Sequence, residues 1–129
     1  LTAVNYTGRK PPLAWAGTPA EAAHDLAGLT QATVIFQGNA REAALAYPKN
    51  ANVAATLALA GAGFEATQVR LIADPGVSRN VHEVAVSAGA ADFTFRIEGH
   101  PSPDNPRTSA GTALSVAREV MNRNREVVL

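Results

Sequence analysis

The sequence contains no cysteine, which excludes disulfide scaffolds, thiolate zinc sites and cysteine nucleophiles. It has no excess of one charge either: eleven Lys and Arg residues balance eleven Asp and Glu residues, so we expect no nucleic-acid partner. The longest apolar stretch, residues 53–64, is shorter than the ~20 residues of a membrane span, and we expect no membrane partner. Three scattered histidines do not predict a metal site.

What is present indicates a globular protein. The chain has 129 residues, of which 47% are hydrophobic and 17% charged, a composition and size typical of one folded domain. It begins at Leu1 without a methionine and shows no secretory or targeting segment. We therefore expect a piece of a longer protein, with the cytoplasm as its compartment.

Periodicity and capping residues predict the secondary structure. Thr18 and Pro19 predict a helix over residues 19–26, and Asn39 with Glu42 predicts one that stops at Pro48. Further helices are expected over an Ala-rich stretch that ends near residues 61–63 and after residue 106. Strands are expected near the start of the chain, at residues 32–37 as a buried strand, at 68–73, and as a hairpin formed by 81–87 and 92–98.

This order of elements predicts the fold class. About five strands and four helices, with two strands in a hairpin and the others separated by helices, favour an α+β domain. We expect a mixed, largely antiparallel sheet that is covered by helices.

His82 is the most informative of the three histidines. It lies at the start of a predicted strand and has the same parity as Val84 and Val86, so it should point into the apolar layer under the helices. A titratable group there is costly unless it is used or paired, and a hydrogen-bonded structural histidine is the alternative. His24 and His100 lack such a setting and are weaker candidates.

Two predicted helix entries carry polar groups that suit anions. Lys49 stands close before Asn52, and Arg107 stands before Thr108 and Ser109, at positions where helix N–H groups lack partners. Simple capping of the helix by Asn52 is the alternative interpretation of the first entry. No G-x-G-x-x-G motif follows a strand, so a complete dinucleotide site within this chain is excluded.

Four motifs in one order carry a family resemblance. They are Tyr47-Pro48-Lys49-Asn50-Ala51-Asn52 with the Ala-rich stretch behind it, Ala73-Asp74-Pro75, Arg79-Asn80-Val81-His82-Glu83 and Asn105-Pro106-Arg107-Thr108-Ser109. Together they resemble the C-terminal part of the L-aspartate dehydrogenase family, and the resemblance covers nearly the whole chain.

The resemblance implies one half of a two-domain enzyme. Residues 1–129 would form a single C-terminal catalytic and dimerisation domain, similar to that of glyceraldehyde-3-phosphate-dehydrogenase-like dehydrogenases. An N-terminal Rossmann domain, absent from this chain, would bind NAD or NADP, and the isolated chain should have little activity. The family oxidises L-aspartate to iminoaspartate for NAD biosynthesis by way of quinolinate, and the imine can hydrolyse to oxaloacetate and ammonia. A homodimer through the sheet is expected.

The resemblance also assigns residues. The catalytic histidine of the family matches His82, which could take a proton from the substrate ammonium or hold a water. The asparagine that contacts the cofactor matches Asn52, with Asn50 as the second candidate. For the substrate carboxylates the candidates are Lys49, Thr108 and Ser109.

Two alternatives stay open. The chain could be the substrate domain of a related reductase such as dihydrodipicolinate reductase, although the run from Arg79 to Glu83 argues against it. It could also be a non-catalytic binding or assembly domain, which the presence of His82 and Asn52 opposes.

Overall fold

The computed structural model describes residues 3–60 and 63–99 of the chain. In this part, strands and helices follow in the order β1 (Ala3–Lys10), α1 (Pro19–Ala23), β2 (Thr33–Asn39), α2 (Ala40–Ala46), α3 (Asn52–Ala60), β3 (Thr67–Ala73), β4 (Val81–Ser87) and β5 (Asp92–Glu98). Short 3-10 helices cover Pro12–Trp15 and Leu26–Gly28. The helix predicted after residue 106 lies outside the described residues.

The five strands form one sheet in the order β2-β3-β1-β4-β5. Strands β1 and β3 are parallel, and the other three neighbouring pairs are antiparallel. The β4–β5 hairpin pairs Val81 with Glu98 and Ser87 with Asp92, as the alternation of apolar and polar residues predicted. The predicted α+β class with a mixed, largely antiparallel sheet is therefore confirmed.

Two of the predicted helix starts are confirmed, but one predicted end is not. A capping box joins Asn39 and Glu42 at the start of α2, and the Thr18 side chain accepts from the N–H of Ala20 at the start of α1. Helix α1 ends at Ala23 and not near residue 26, because His24 already has an extended backbone. Leu26 is then buried on a separate 3-10 turn.

Strand β2 lies at the edge of the described sheet and is not the buried strand that its composition predicted. Its register against β3 shifts between Val34 and Phe36, and the Val34 side chain is 46% exposed. β-Branched residues favour any strand, so composition alone could not separate an edge position from a central one.

One face of the sheet, called here the helix-covered face, packs against the helices. Helices α2 and α3 pack on β3, and α3 also contacts β1. The buried apolar side chains of this face on the three central strands are Val4, Tyr6, Val69, Leu71, Ala73, Val84 and Val86. Leu57 of α3 and Trp15 are fully buried among them, and Trp15 Nε1 donates to the carbonyl of Ile72 at 3.2 Å.

The opposite face of the sheet, called here the open face, is polar. Its exposed side chains include Asn5, Gln68, Arg70, Thr94 and Arg96. Because side chains alternate along a strand, β1 and β4 each send one set of residues into the core and the other set to this face. No helix in the described part of the chain is long and apolar enough to cross a membrane.

Candidate functional site

His82 lies on the helix-covered face, as its parity predicted. It pairs across the sheet with Gly8 of β1, next to the pair formed by Val84 and Tyr6, and only 5% of the residue is exposed. A histidine in this layer loses most of its contact with water, so its protonation depends on a small number of neighbours.

Tyr6 is the immediate partner of His82. Its hydroxyl oxygen lies 2.7 Å from His82 Nδ1, a hydrogen-bond distance, and the two rings are stacked with centroids 6.0 Å apart. The second ring nitrogen, Nε2, is also buried but has no hydrogen-bond partner within residues 3–60 and 63–99. One nitrogen of His82 is therefore anchored by the protein, while the other can meet a ligand.

Lys10 supplies the positive charge of the site. It follows Gly8 by two residues on β1 and therefore lies on the same face as His82. Burial first, and then the charge of Lys10, lower the pKa of His82 to about 4. His82 is consequently neutral at pH 7 in this state.

Lys10 also connects the sheet to the turn before α3. Its Nζ donates to Asn50 Oδ1 at 3.0 Å and lies 4.9 Å from the ring centroid of Trp15, a cation–π contact. Burial lowers the pKa of Lys10 below its usual range. The amine is thus held at the border of the apolar layer, where an additional anion would stabilise its charge.

An ion pair connects the end of β1, next to Lys10, with the residue that follows β3. Arg9 Nη1 donates to Asp74 Oδ2 at 2.8 Å, and Asp74 Oδ1 accepts from the N–H of Gly76 at 2.7 Å. The Gly76 hydrogen bond and then Arg9 hold the pKa of Asp74 below its usual range. The N–H of Asp74 also donates to the carbonyl of Lys10 at 2.9 Å, which fastens the end of β3 to the end of β1.

The structure brings some of the predicted site residues together. Asn50 accepts a hydrogen bond from Lys10, and the charge of Lys10 in turn lowers the pKa of His82. Lys49 is exposed and shares with Asn50 a cleft of about 280 Å³ between the turn and the start of α1. Thr108 and Ser109 lie outside the described residues.

Asn52 does not cap α3. The helix begins at Asn52 itself, and the carbonyl of Ala51 accepts the hydrogen bond from the N–H of Ala55. Ala51 therefore occupies the capping position, and the exposed side chain of Asn52 belongs to the first helical residue. The simple capping interpretation is wrong, because the helix starts at Asn52, one residue earlier than capping by Asn52 requires.

Two residues of this site, Tyr6 and Lys10, were not among the sequence predictions. Both have the parity of Gly8, so alternation along β1 could have placed them on one face. Alternation cannot show, however, that β1 pairs with β4, a strand about seventy residues further along the chain.

Comparisons with known proteins identify the family of the chain. The family model described as "Aspartate dehydrogenase, C-terminal" matches residues 1–123. L-Aspartate dehydrogenase of Polaromonas sp. is 57% identical over 129 residues, which are 100% of this chain and 48% of that protein. L-Aspartate dehydrogenase of Pseudomonas aeruginosa is 57% identical over 122 residues, 95% of this chain and 46% of that protein.

A solved structure extends the likeness to the fold. The crystal structure of aspartate dehydrogenase from Thermotoga maritima superposes with a TM-score of 0.65 and 30% sequence identity, covering 94% of this chain and 43% of that chain. The chain spans about half the length of the curated relatives that it matches. We conclude that this chain belongs to the family of aspartate dehydrogenase C-terminal domains.

Proposed function

We propose that this chain is the C-terminal, substrate-side domain of an L-aspartate dehydrogenase that uses NAD or NADP. The observation that carries the proposal is the buried His82, with one nitrogen anchored by Tyr6, the other without a described partner, and the cation of Lys10 nearby. Perturbed titratable groups of this kind are concentrated at functional sites. The reaction itself is inferred from membership of the family.

In this reaction, L-aspartate loses a hydride from Cα and a proton from its amino group and becomes iminoaspartate. The nicotinamide ring of the cofactor, when the cofactor is bound, would accept the hydride. Addition of water to the imine then gives oxaloacetate and ammonia. The residues of this chain act by binding the substrate and by exchanging hydrogen bonds or protons with it.

Lys10 is suited to bind a carboxylate of aspartate beside His82. The Lys10 amine is partly desolvated, so a carboxylate gains more from it than from an exposed lysine. The carboxylate would also offset the charge that lowers the pKa of His82 and would raise that pKa again. Lys49, Thr108 and Ser109 stay the predicted contacts for the second carboxylate.

The carboxamides of Asn52 and Asn50 can contact the cofactor. Asn52 is exposed at the first position of α3, and an amide can both donate to and accept from another amide such as that of nicotinamide. The chain offers no phosphate-binding glycine motif, so the nucleotide-binding domain would come from the rest of the full-length protein.

The open face is suited to a second copy of this chain. It carries charges of both signs, among them Arg70, Glu83 and Arg96, which a two-fold axis could bring into complementary pairs. We therefore propose a homodimer through the sheet. From the family resemblance, we also propose that the enzyme acts in the cytoplasm and has a role in NAD biosynthesis. Sedimentation of the full-length gene product as a dimer at micromolar concentration would support this assembly, and a monomer would contradict it.

The proposed reaction is tested with the full-length gene product. We expect L-aspartate to reduce NAD or NADP, with formation of oxaloacetate and ammonia, and D-aspartate and L-glutamate to serve as comparison substrates. No reduction by L-aspartate with either cofactor would contradict the proposal. It would favour a related reductase or a non-catalytic domain.

A further inference from the structure

We propose that Tyr6 fixes His82 in the tautomer that carries its proton on Nε2, so that neutral His82 meets the substrate as a hydrogen-bond donor. Tyr6 is in this sense a positioning residue that acts through the imidazole. The substrate side of the proposal rests on the proposed function, but the tautomer follows from the described residues alone.

The hydrogen bond between Tyr6 and His82 could run in two directions. If His82 Nδ1 donated to the Tyr6 oxygen, the hydroxyl hydrogen of Tyr6 would need another acceptor. The hydroxyl has no other hydrogen-bond partner within residues 3–60 and 63–99, and Tyr6 is buried. If Tyr6 donates to Nδ1 instead, no buried donor of the tyrosine stays unpaired. Burial also raises the pKa of the Tyr6 hydroxyl, so that the hydroxyl keeps the proton that it donates.

Gly8 provides the space for this contact. A Cβ at Gly8 would lie 2.8 Å from the Tyr6 hydroxyl oxygen and 3.2 Å from Leu71 Cδ2, closer than such atoms approach without displacement. Gly8 is also the residue of β1 that pairs with His82. The glycine therefore leaves room for the hydroxyl directly opposite the histidine that it contacts.

The tautomer decides what Nε2 can do. Once Nδ1 accepts the hydrogen bond, the proton of the neutral ring lies on Nε2, the buried nitrogen without a described partner. An N–H at this position can donate to a substrate carboxylate or to a water oxygen, but it offers no lone pair to the substrate ammonium. The ammonium proton then goes to solvent before the hydride leaves. Of the two roles predicted for His82, this arrangement favours holding a water over taking a proton from the substrate ammonium.

The tautomer can be measured directly by NMR. The full-length gene product, labelled with nitrogen-15 in its histidines, is examined at neutral pH through the long-range couplings of the ring protons, and His82→Gln assigns the His82 signals. We expect Nδ1 to give the signal of an unprotonated nitrogen and Nε2 that of a protonated one. A protonated Nδ1 would overturn the proposal.

Tyr6→Phe tests whether the tyrosine sets the tautomer. Without the hydroxyl, we expect Nδ1 and Nε2 to share the proton, so that both signals move towards intermediate values. Loss of one neutral hydrogen bond should also lower kcat/KM for aspartate by about 2- to 10-fold. An unchanged tautomer in Tyr6→Phe would show that another group holds the ring and would overturn the role of Tyr6.

A pair of variants tests the donor role in catalysis. The amide of His82→Gln keeps an N–H near the position of Nε2, whereas His82→Leu has no donor. If His82 acts as a donor, His82→Gln should be at least about 10-fold more active than His82→Leu. Equal loss in the two variants would overturn the donor role. If the wild-type protein does not oxidise aspartate, the proposed function fails, while the NMR signals still decide the tautomer.

Discussion

Charged groups have opposite environments on the two faces of the sheet, although the same strands form both faces. On the helix-covered face, His82 and Lys10 are largely removed from water, and burial lowers the pKa of each. Towards the open face, charged groups lie close to opposite charges, as in the pairs Arg9–Asp74 and Arg96–Glu98. The comparison teaches that the chemistry belongs to the face where charge is costly, because burial there lowers the pKa of both cations, whereas hydrogen bonds stabilise the charge of Asp74.

We expect the largest effect in helix α3, where the same Leu→Ala substitution can be made on its buried and on its exposed side. Leu57 is fully buried on the helix-covered face, whereas Leu59 is 76% exposed. We expect Leu57→Ala to lower the free energy of unfolding by about 2–5 kcal/mol. Leu59→Ala should change it by less than about 0.5 kcal/mol. Urea unfolding of the full-length gene product measures both, and equal losses would show that α3 does not cover the core as described.

The pH dependence of stability sharpens the comparison next. His82 has a pKa of about 4 in the folded protein and about 6.5 when unfolded, so the unfolded state binds more protons between these values. Stability should therefore fall by about 3 kcal/mol as the pH is lowered through this window. Urea unfolding at a series of pH values should show that His82→Gln lacks this dependence and that His24→Gln keeps it. The same pH curve for wild type and His82→Gln would contradict the buried neutral histidine.

Two lysines test where the substrate charge is bound. Lys10 is partly buried beside His82, while Lys49 is exposed at the cleft near α1. Lys10→Met should raise KM for aspartate by about 10- to 100-fold, the expected range for a hydrogen bond to a charged group. Lys49→Met should raise it less. Steady-state kinetics with the larger effect at Lys49 would move the substrate from His82 to the cleft.

The smallest effect is expected for an exposed ion pair on β5. Arg96 Nη2 and Glu98 Oε1 are 3.0 Å apart, and both side chains are about half exposed. Pairs of this kind contribute about 0–1 kcal/mol. Glu98→Gln should therefore leave the melting temperature and the activity nearly unchanged. A large loss of stability would mean that this pair is not an ordinary exposed ion pair.

Local sequence patterns predicted the fold well where the cause is local. The capping box of Asn39 and Glu42 is a short-range signal, and the parity of His82 with Val84 and Val86 follows from the geometry of a strand. Helix α1 proved shorter than predicted, because burial of Leu26 on its own turn overrides the helix propensity of the segment.

The site itself could be predicted only in part. His82 was found from the sequence, but Tyr6 and Lys10 were not, because their proximity to His82 depends on the sheet order β3-β1-β4. Periodicity within one strand carries no information about such long-range pairing. Asn50 was proposed through family resemblance, and its contact with Lys10 is a result of folding that spacing alone does not indicate.

The most direct test compares two histidines in the full-length gene product. His82 is buried in the site, and His24 is the residue at the C-terminal end of α1. With L-aspartate as substrate, we predict that His82→Ala lowers kcat/KM by about 10- to 100-fold, the range for a lost hydrogen bond to a charged group, whereas His24→Ala stays close to wild type. If His82→Ala folds and remains as active as His24→Ala, the helix-covered face is not the catalytic side of this protein.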